Sequence, residues 1–249
     1  MVGAAEEAAS KNGSAHVNRG GRPRTDLGLV LDAMFYRLRN AGPWRDLPTC
    51  YGPWSTIHGW HTRWAREGLW DKILKMFVEH SPGDVRLIDG SHIVVHQCAA
   101  NPKGGSSTQA MGKTRGGRNT KVMALTTRRG HVVRLALVEG QAYEGHHVIK
   151  LLQGSPNIIL VGDKAYDDNK LRKQLELLGH QPCFPGKKNR KQKIKYSKAI
   201  YRGRYKIENC FCRLKRWASV ATRRDKLAQS FLSLLNFAAV LDWLHPRKN

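Results

Sequence analysis

Acidic residues are scarce in this chain. Against 43 Lys and Arg it sets only 19 Asp and Glu over 249 residues, a formal charge of +24. An imbalance of that size exceeds what solubility requires and points to a polyanionic partner, of which nucleic acid is the commonest. Long apolar runs are also missing. None approaches the ~20 residues that a spanning helix needs, and the N-terminus lacks the apolar region of a secretory signal. Cysteines are few, odd in number and scattered (Cys50, Cys98, Cys183, Cys210, Cys212), with no C-x-x-C pair. That argues against a disulfide scaffold and a structural zinc site, and for reduced thiols in the cytosol. His92 and His96 have a helical metal spacing but lie in an alternating, strand-like segment, which argues against a metal role. Gly112-Lys113-Thr114 does not complete a phosphate-binding loop: the upstream glycine would fall at Ser107, and no helix follows.

What is present divides by its hydrophobic period. Residues 1–20 are small, polar and aperiodic, which predicts a disordered tail. From 21 to 80 the pattern is helical. Leu27, Val30, Leu31, Met34 and Leu38 follow i, i+3, i+4, i+7 behind a Thr25 cap, and the turn-rich AGPWRDLPTCYGPW breaks that helix. A second helix begins at Ser55 or Thr56 and stops at Gly68, and a third carries Leu69, Ile73, Leu74 and Phe77. Three short helices with basic positions, Arg63 among them, suit a helix-turn-helix-like DNA-binding domain. Five of the seven tryptophans fall between Trp44 and Trp70, where they serve as apolar anchors or stack on bases.

After Pro82 the period becomes strand-like. Residues 85–89 and 93–96 suggest two strands turning at Asp89-Gly90-Ser91, followed by strands at 121–127 and 131–138. A helix near 146–153, a strand at 157–161, a helix at 168–178 and a strand at 181–184 come next. Two helices, about 198–218 and 225–244, close the chain, the last apolar on several sides and so buried. This order of elements is that of a ribonuclease-H-like fold. It implies an α/β domain over 81–246 with a mixed five-stranded sheet. Such a sheet sets a carboxylate on the first strand beside one after the fourth, and a late helix can bring a third. The chain offers Asp89 after VRLI, Asp163 after IILVG, and Glu208. Three converging acids can hold two Mg²⁺ ions for phosphodiester cleavage. Each has a plainer reading: Asp89-Gly90 as a turn, Asp163 as a loop residue, Glu208 as an ion pair with Arg204.

Around Glu208 the pattern is Tyr201-x-x-Arg204-x-x-x-Glu208-x-x-x-x-x-x-Lys215. On one α-helix these four positions fall within ~60° of arc. A carboxylate flanked by Arg and Lys suits a metal-bound phosphate backbone, although a solvated, salt-bridged face has the same composition.

Gly21–Arg24 (GRPR), Gly42–Pro48 (GPWRDLP), Tyr51–Trp54 (YGPW) and Gly68–Trp70 (GLW) join Ile88–His92 (IDGSH), Arg115–Gly117 (RGG), Gly140–Ala142 (GQA), Asp163–Tyr166 (DKAY) and Tyr201/Arg204/Glu208/Lys215 in one pattern. Over about residues 21–245 the chain resembles bacterial insertion-sequence transposases of the aspartate–aspartate–glutamate type, in the insertion sequence 5 family. The resemblance implies Asp89, Asp163 and Glu208 as catalytic metal ligands for Mg²⁺, with Mn²⁺ able to substitute. It further implies Arg204 and Lys215 as phosphate contacts near the scissile bond and Tyr201 as a positioning residue; Arg115, Lys121 and Arg63 are further expected DNA contacts. The expected partners are double-stranded terminal inverted repeats and target DNA, bound by a homo-oligomer in the bacterial cytoplasm at the nucleoid. Family members usually carry a Trp-containing helical segment ahead of GRPR, where this chain has an Ala-, Glu- and Ser-rich stretch. Two alternatives stand beside this reading: a ribonuclease-H-like nuclease that cuts without joining, and a decayed, non-catalytic DNA-binding protein.

Overall fold

The computed structural model describes residues 25–81 and 83–245. The expected tail over 1–20 and the segment 21–24 lie outside them. Helix α1 (Leu27–Asn40) is capped by Asp26 rather than Thr25, because the Asp26 carboxylate accepts from the Gly28 N–H at 2.8 Å. It buries Val30, Ala33, Met34 and Leu38. Two 3₁₀ turns (Trp44–Asp46 and Thr49–Tyr51) lead to α2 (Trp54–Glu67). Gly68 ends α2 in the left-handed region at φ 66, which glycine adopts without strain, and α3 (Leu69–Glu79) follows at once.

Strand β1 (Val85–Val95) then runs through the centre of a seven-stranded sheet. The hairpin expected at Asp89-Gly90-Ser91 is absent. Those residues continue one strand, paired antiparallel with β3 (Gly117–Thr127) from Arg86↔Thr127 to Val94↔Asn119. A local turn signal yields here to a ladder of nine paired positions. Strand β2 (Gly112–Thr114) and β4 (Val132–Glu139) both pair with β3. After α4 (Gly145–Leu152), β5 (Ile159–Val161) pairs parallel with β1, and after α5 (Asn169–Leu177), β6 (Gln181–Cys183) pairs parallel with β5. The six expected strand segments thus become five strands, the first two being fused in β1, and two short ones, β2 and β7 (Thr222–Arg223), bring the sheet to seven. Three antiparallel strands extended by two parallel ones form the ribonuclease-H-like arrangement.

Helices cover both faces of the sheet, as the alternation of its strands requires. Leu87, Val122 and Ala124 face a core shared with α1–α3 and with α9 (Ala228–Leu244), whereas Ile88, Met123 and Leu125 face α4 and α5. Phe231, Leu234 and Leu235 of α9 are fully buried, as its all-round apolar pattern predicts. Each contributes about 1.5–3 kcal/mol relative to exposure. Trp70 lies against Phe237 at 4.4 Å, so the leading helices and the last one close a single core. Trp64 and Trp70 are buried in it as anchors, while Trp54 stays exposed.

The helix expected over 198–218 is broken. Residues Lys198–Tyr201 (α6) are α-helical, Arg202–Arg204 form a 3₁₀ turn around Gly203, and Tyr205–Leu214 (α7) resume the α-helix. A short α8 (Ala218–Ala221) precedes β7.

Candidate active site

The edge of β1 opposite β3 is only partly covered. Strand β5 pairs with Val85–Leu87 and β7 with Val94 and Val95, so residues 88–93 have no strand partner on that side. Asp89 sits in this gap. In the parallel register Leu87 stands opposite Val161; two residues further on, Asp89 comes beside Asp163, just past the carboxyl end of β5. Crevices outside the carboxyl ends of parallel strands are the usual binding positions of open α/β sheets.

Three segments supply the charged groups. From β1, Asp89 accepts from the Gly90 N–H at 2.8 Å with one oxygen and meets the Arg204 guanidinium at 3.4 Å with the other. After β5, Asp163 caps the 3₁₀ turn Lys164–Tyr166 by accepting from the Ala165 N–H at 2.6 Å. From the 3₁₀ turn and α7, Arg204 also donates to Glu208, so one guanidinium bridges two of the three acids. Lys215 donates to the His92 carbonyl at 3.0 Å, which anchors the end of α7 to β1. Tyr201 lies close enough to feel both Arg204 and Asp163. The break at Gly203 means that Tyr201, Arg204, Glu208 and Lys215 do not lie on one continuous α-helical stripe. Contacts across the chain bring them to this cleft instead.

Burial pushes the Asp89 carboxyl up to about 6, against the lowering effects of the Gly90 N–H and Arg204. The nearby carboxylates of Glu144 and Asp163 add to the rise. Burial thus outweighs the help that the Gly90 N–H and Arg204 give to the ionised form. Among the described residues no group of three or more His, Cys, Asp or Glu gathers closely enough to hold a metal ion, because Arg204 stands between Asp89 and Glu208.

Of the expected DNA contacts, Arg115 is exposed at the tip of the β2–β3 hairpin, and Arg63 is exposed on α2, paired with Glu67 at 2.8 Å. Lys121 departs from expectation. It is 7% exposed, donates to the Ala142 carbonyl at 2.8 Å and pairs with Glu144 at 3.3 Å, so it faces the interior and has no open side for a phosphate. Glu144 itself is a residue that sequence reasoning missed. Its carboxylate accepts from Tyr166 and lies against Gly90, where an added Cβ would meet it at 2.8 Å. Only its neighbourhood to Gly140-Gln141-Ala142 hinted at it, since Gly90 and Tyr166 are remote in sequence. Asp167, the nearest rival to Asp163, is buried and engaged with Arg172 at 2.8 Å, Arg190 at 2.7 Å and the Lys187 N–H at 2.8 Å.

The sheet and its acid-lined cleft define a protein of the ribonuclease-H-like class. Within that class the chain belongs to the transposase DDE domain family, whose model matches residues 80–242. A second model, a domain of unknown function (DUF4096) assigned to transposases of the IS4/5 family, matches residues 9–74 and so begins inside the 1–20 segment. An uncharacterized protein of Sinorhizobium fredii (strain NBRC 101917 / NGR234), y4sN, is 33% identical over 91 residues, which are 35% of this chain and 73% of that protein. Among solved structures, the piggyBac transposase synaptic complex with hairpin DNA aligns with a TM-score of 0.40 and 8% identity over 66% of this chain; the chain spans about half, 48%, of that one. The Mos1 strand transfer complex aligns at 0.30 with 12% identity over 98% of this chain and 85% of that one. The Mos1 mariner paired end complex with Mn aligns at 0.30 with 13% identity over 89% and 87%.

Proposed function

We propose that this transposase cuts and joins DNA strands at the terminal inverted repeats of its own element. Asp89, Asp163 and Glu208 would be its catalytic acids. The observation that carries this reading is the gap in β1, where Asp89 comes beside Asp163 and faces Arg204 and Glu208 across the cleft.

Divalent metal suits the chemistry of this donor set, provided Arg204 gives up its place between Asp89 and Glu208. All three acids are hard oxygen ligands, and the single guanidinium of Arg204 is shared between two of them, Asp89 and Glu208. Asp89, Asp163 and Glu208 would hold two Mg²⁺ ions, or Mn²⁺ in their place. When bound, such ions activate a water or 3′-hydroxyl and neutralise the charge on the leaving oxygen. Arg204 is then free to grip a phosphate with its planar fork, and Lys215 adds a point charge beside it. Tyr201 orients the strand at the cleft mouth. Arg115 and Arg63 hold the duplex by its phosphates, which fixes register without reading sequence. The helices over 25–80 would form the end-recognition module, the domain from 81 onward the catalytic one, and target capture would need a homo-oligomer on the DNA.

The test is incubation of the purified protein with its flanking DNA and Mg²⁺. Asp89→Asn, Asp163→Asn and Glu208→Gln should each abolish cleavage while leaving DNA affinity near wild type, because affinity comes mainly from Lys and Arg. Wild-type cleavage by any one variant removes that acid from the site. Cleavage without joining identifies a nuclease.

A further inference from the structure

A second cavity, of about 700 Å³, opens where the turn segment after α1, helix α2, the end of β1 and the start of α9 meet. Its size lies within the ~300–1,000 Å³ of small-ligand pockets. It is remote from the acids. His96 on its wall is seven residues beyond Asp89 along β1, roughly 20 Å at ~3.3 Å per residue.

Its lining combines two chemistries. Trp44 stacks on His61 at 5.0 Å, and exposed Trp54 carries the Arg45 guanidinium 5.5 Å over its ring. Around these rings stand Arg37, Arg45, Arg224 and Lys226, against one carboxylate, Asp225, which is buried and 3.9 Å from Arg37. Arg37 is 4% exposed, and both it and Arg224 bury an Nε with no hydrogen-bond partner. Buried donors left unpaired are costly, and an anionic oxygen is what a guanidinium best accommodates. The cavity also accounts for Gly42-Pro43-Trp44-Arg45 and Trp54, sequence features that the acid-lined cleft does not use.

Aromatic faces flanked by cations take a base and its phosphate, and an open-mouthed cavity of this volume has room for one nucleotide out of its stack but not for the width of a duplex. We propose that this cavity receives an unpaired nucleotide of a DNA strand, its base stacked on Trp54 and its phosphate held by Arg45 and Arg224. The proposal rests on DNA as the partner, and extends that reading to a single-stranded contact outside the cleft.

The test uses the full chain with a short oligothymidylate carrying one 2-aminopurine, the same strand with an abasic site there, and a duplex of the flanking DNA. Wild type should quench the 2-aminopurine and bind that strand more tightly than its abasic counterpart. Trp54→Ala should weaken single-strand binding about five- to a hundredfold, as loss of one base–aromatic stack implies. Duplex affinity should fall by a much smaller factor, because Arg63 and Arg115, which hold the duplex phosphates, are untouched. Trp54→Phe, which keeps a ring, should restore most of the binding and the quenching; its failure to do so would overturn the stacking role. Single-strand binding unaffected by Trp54→Ala, with duplex binding intact, overturns the cavity proposal and leaves the transposase reading standing. Binding to neither form of DNA by wild type overturns both.

Discussion

Arg204 touches Asp89 and Glu208 at once, and its removal separates a structural ion pair from a phosphate contact. Glu208 is about half exposed, so the pair should add little to stability. Arg204→Ala is expected to cost no more than about 1 kcal/mol in a melt. Cleavage at saturating end DNA should fall about a hundredfold or more, the usual effect of losing one charge-stabilising donor. Arg204→Lys should not restore it, because an ammonium lacks the planar two-pronged grip. Normal rates in Arg204→Ala would reduce the contact to an ion pair. His61 permits a second prediction at this scale. Its ring is buried without hydrogen-bond partners, and burial, aided by His58 and Arg37, pushes its pKa down to about 3. The unfolded chain protonates this group near 6.5. The stability gained by keeping it neutral is therefore complete above pH 6.5. It is lost as pH falls toward 3, at about 1.4 kcal/mol per unit. Between pH 6.5 and 4.5 wild type should lose roughly 2–3 kcal/mol more than His61→Leu, as paired denaturant titrations would read.

Among the elements, the turn and loop around α5 depend on one carboxylate. Asp167 binds Arg172 at the start of α5 and Arg190 and the Lys187 N–H in the basic loop after β6. Burial opposes its ionisation, yet these hydrogen bonds hold it well below the usual carboxylate range. Asp167→Asn leaves two guanidinium partners undercompensated, and a loss of about 3–5 kcal/mol is expected from breaking a buried pair. Trypsin should cut the segment 187–195 faster in this variant, while DNA cleavage by the protein still folded persists. A stable but inactive Asp167→Asn would transfer the catalytic role from Asp163 to Asp167.

Over the whole molecule, the charge of +24 should appear as a salt-dependent affinity. Each phosphate neutralised contributes about 0.9 to the slope of log affinity against log salt on duplex DNA. With cations along 187–216 and at Arg63 and Arg115, several contacts are expected, and the slope should be steeper than about −4. Arg115→Ala should reduce it by about 1 without changing the preferred sequence. A flat dependence would assign the charge to another partner. Among the described residues no helix is long and apolar enough to cross a membrane.

Hydrophobic period and turn chemistry, which are local, made the strand-and-helix order legible, together with Asp163 at a strand end and the Arg204–Glu208 spacing. The order of elements, and then the family motifs, singled out Asp89, Asp163 and Glu208 as the acids to test. The uninterrupted β1 was not legible, because Asp89-Gly90 is a good turn signal by itself and only pairing with β3 overrides it. Nor could the sequence place Lys121 inside, since its partner Glu144 comes from beyond β4. The gap that exposes Asp89 exists because β5 and β7, far apart in the chain, pair with opposite ends of the same strand edge. The cavity beside Trp54 likewise forms only where α2 meets the start of α9. Composition and spacing determined which chemistry the chain carries. Tertiary structure decided which charges share a cleft, because burial and pairing join residues that no local pattern relates.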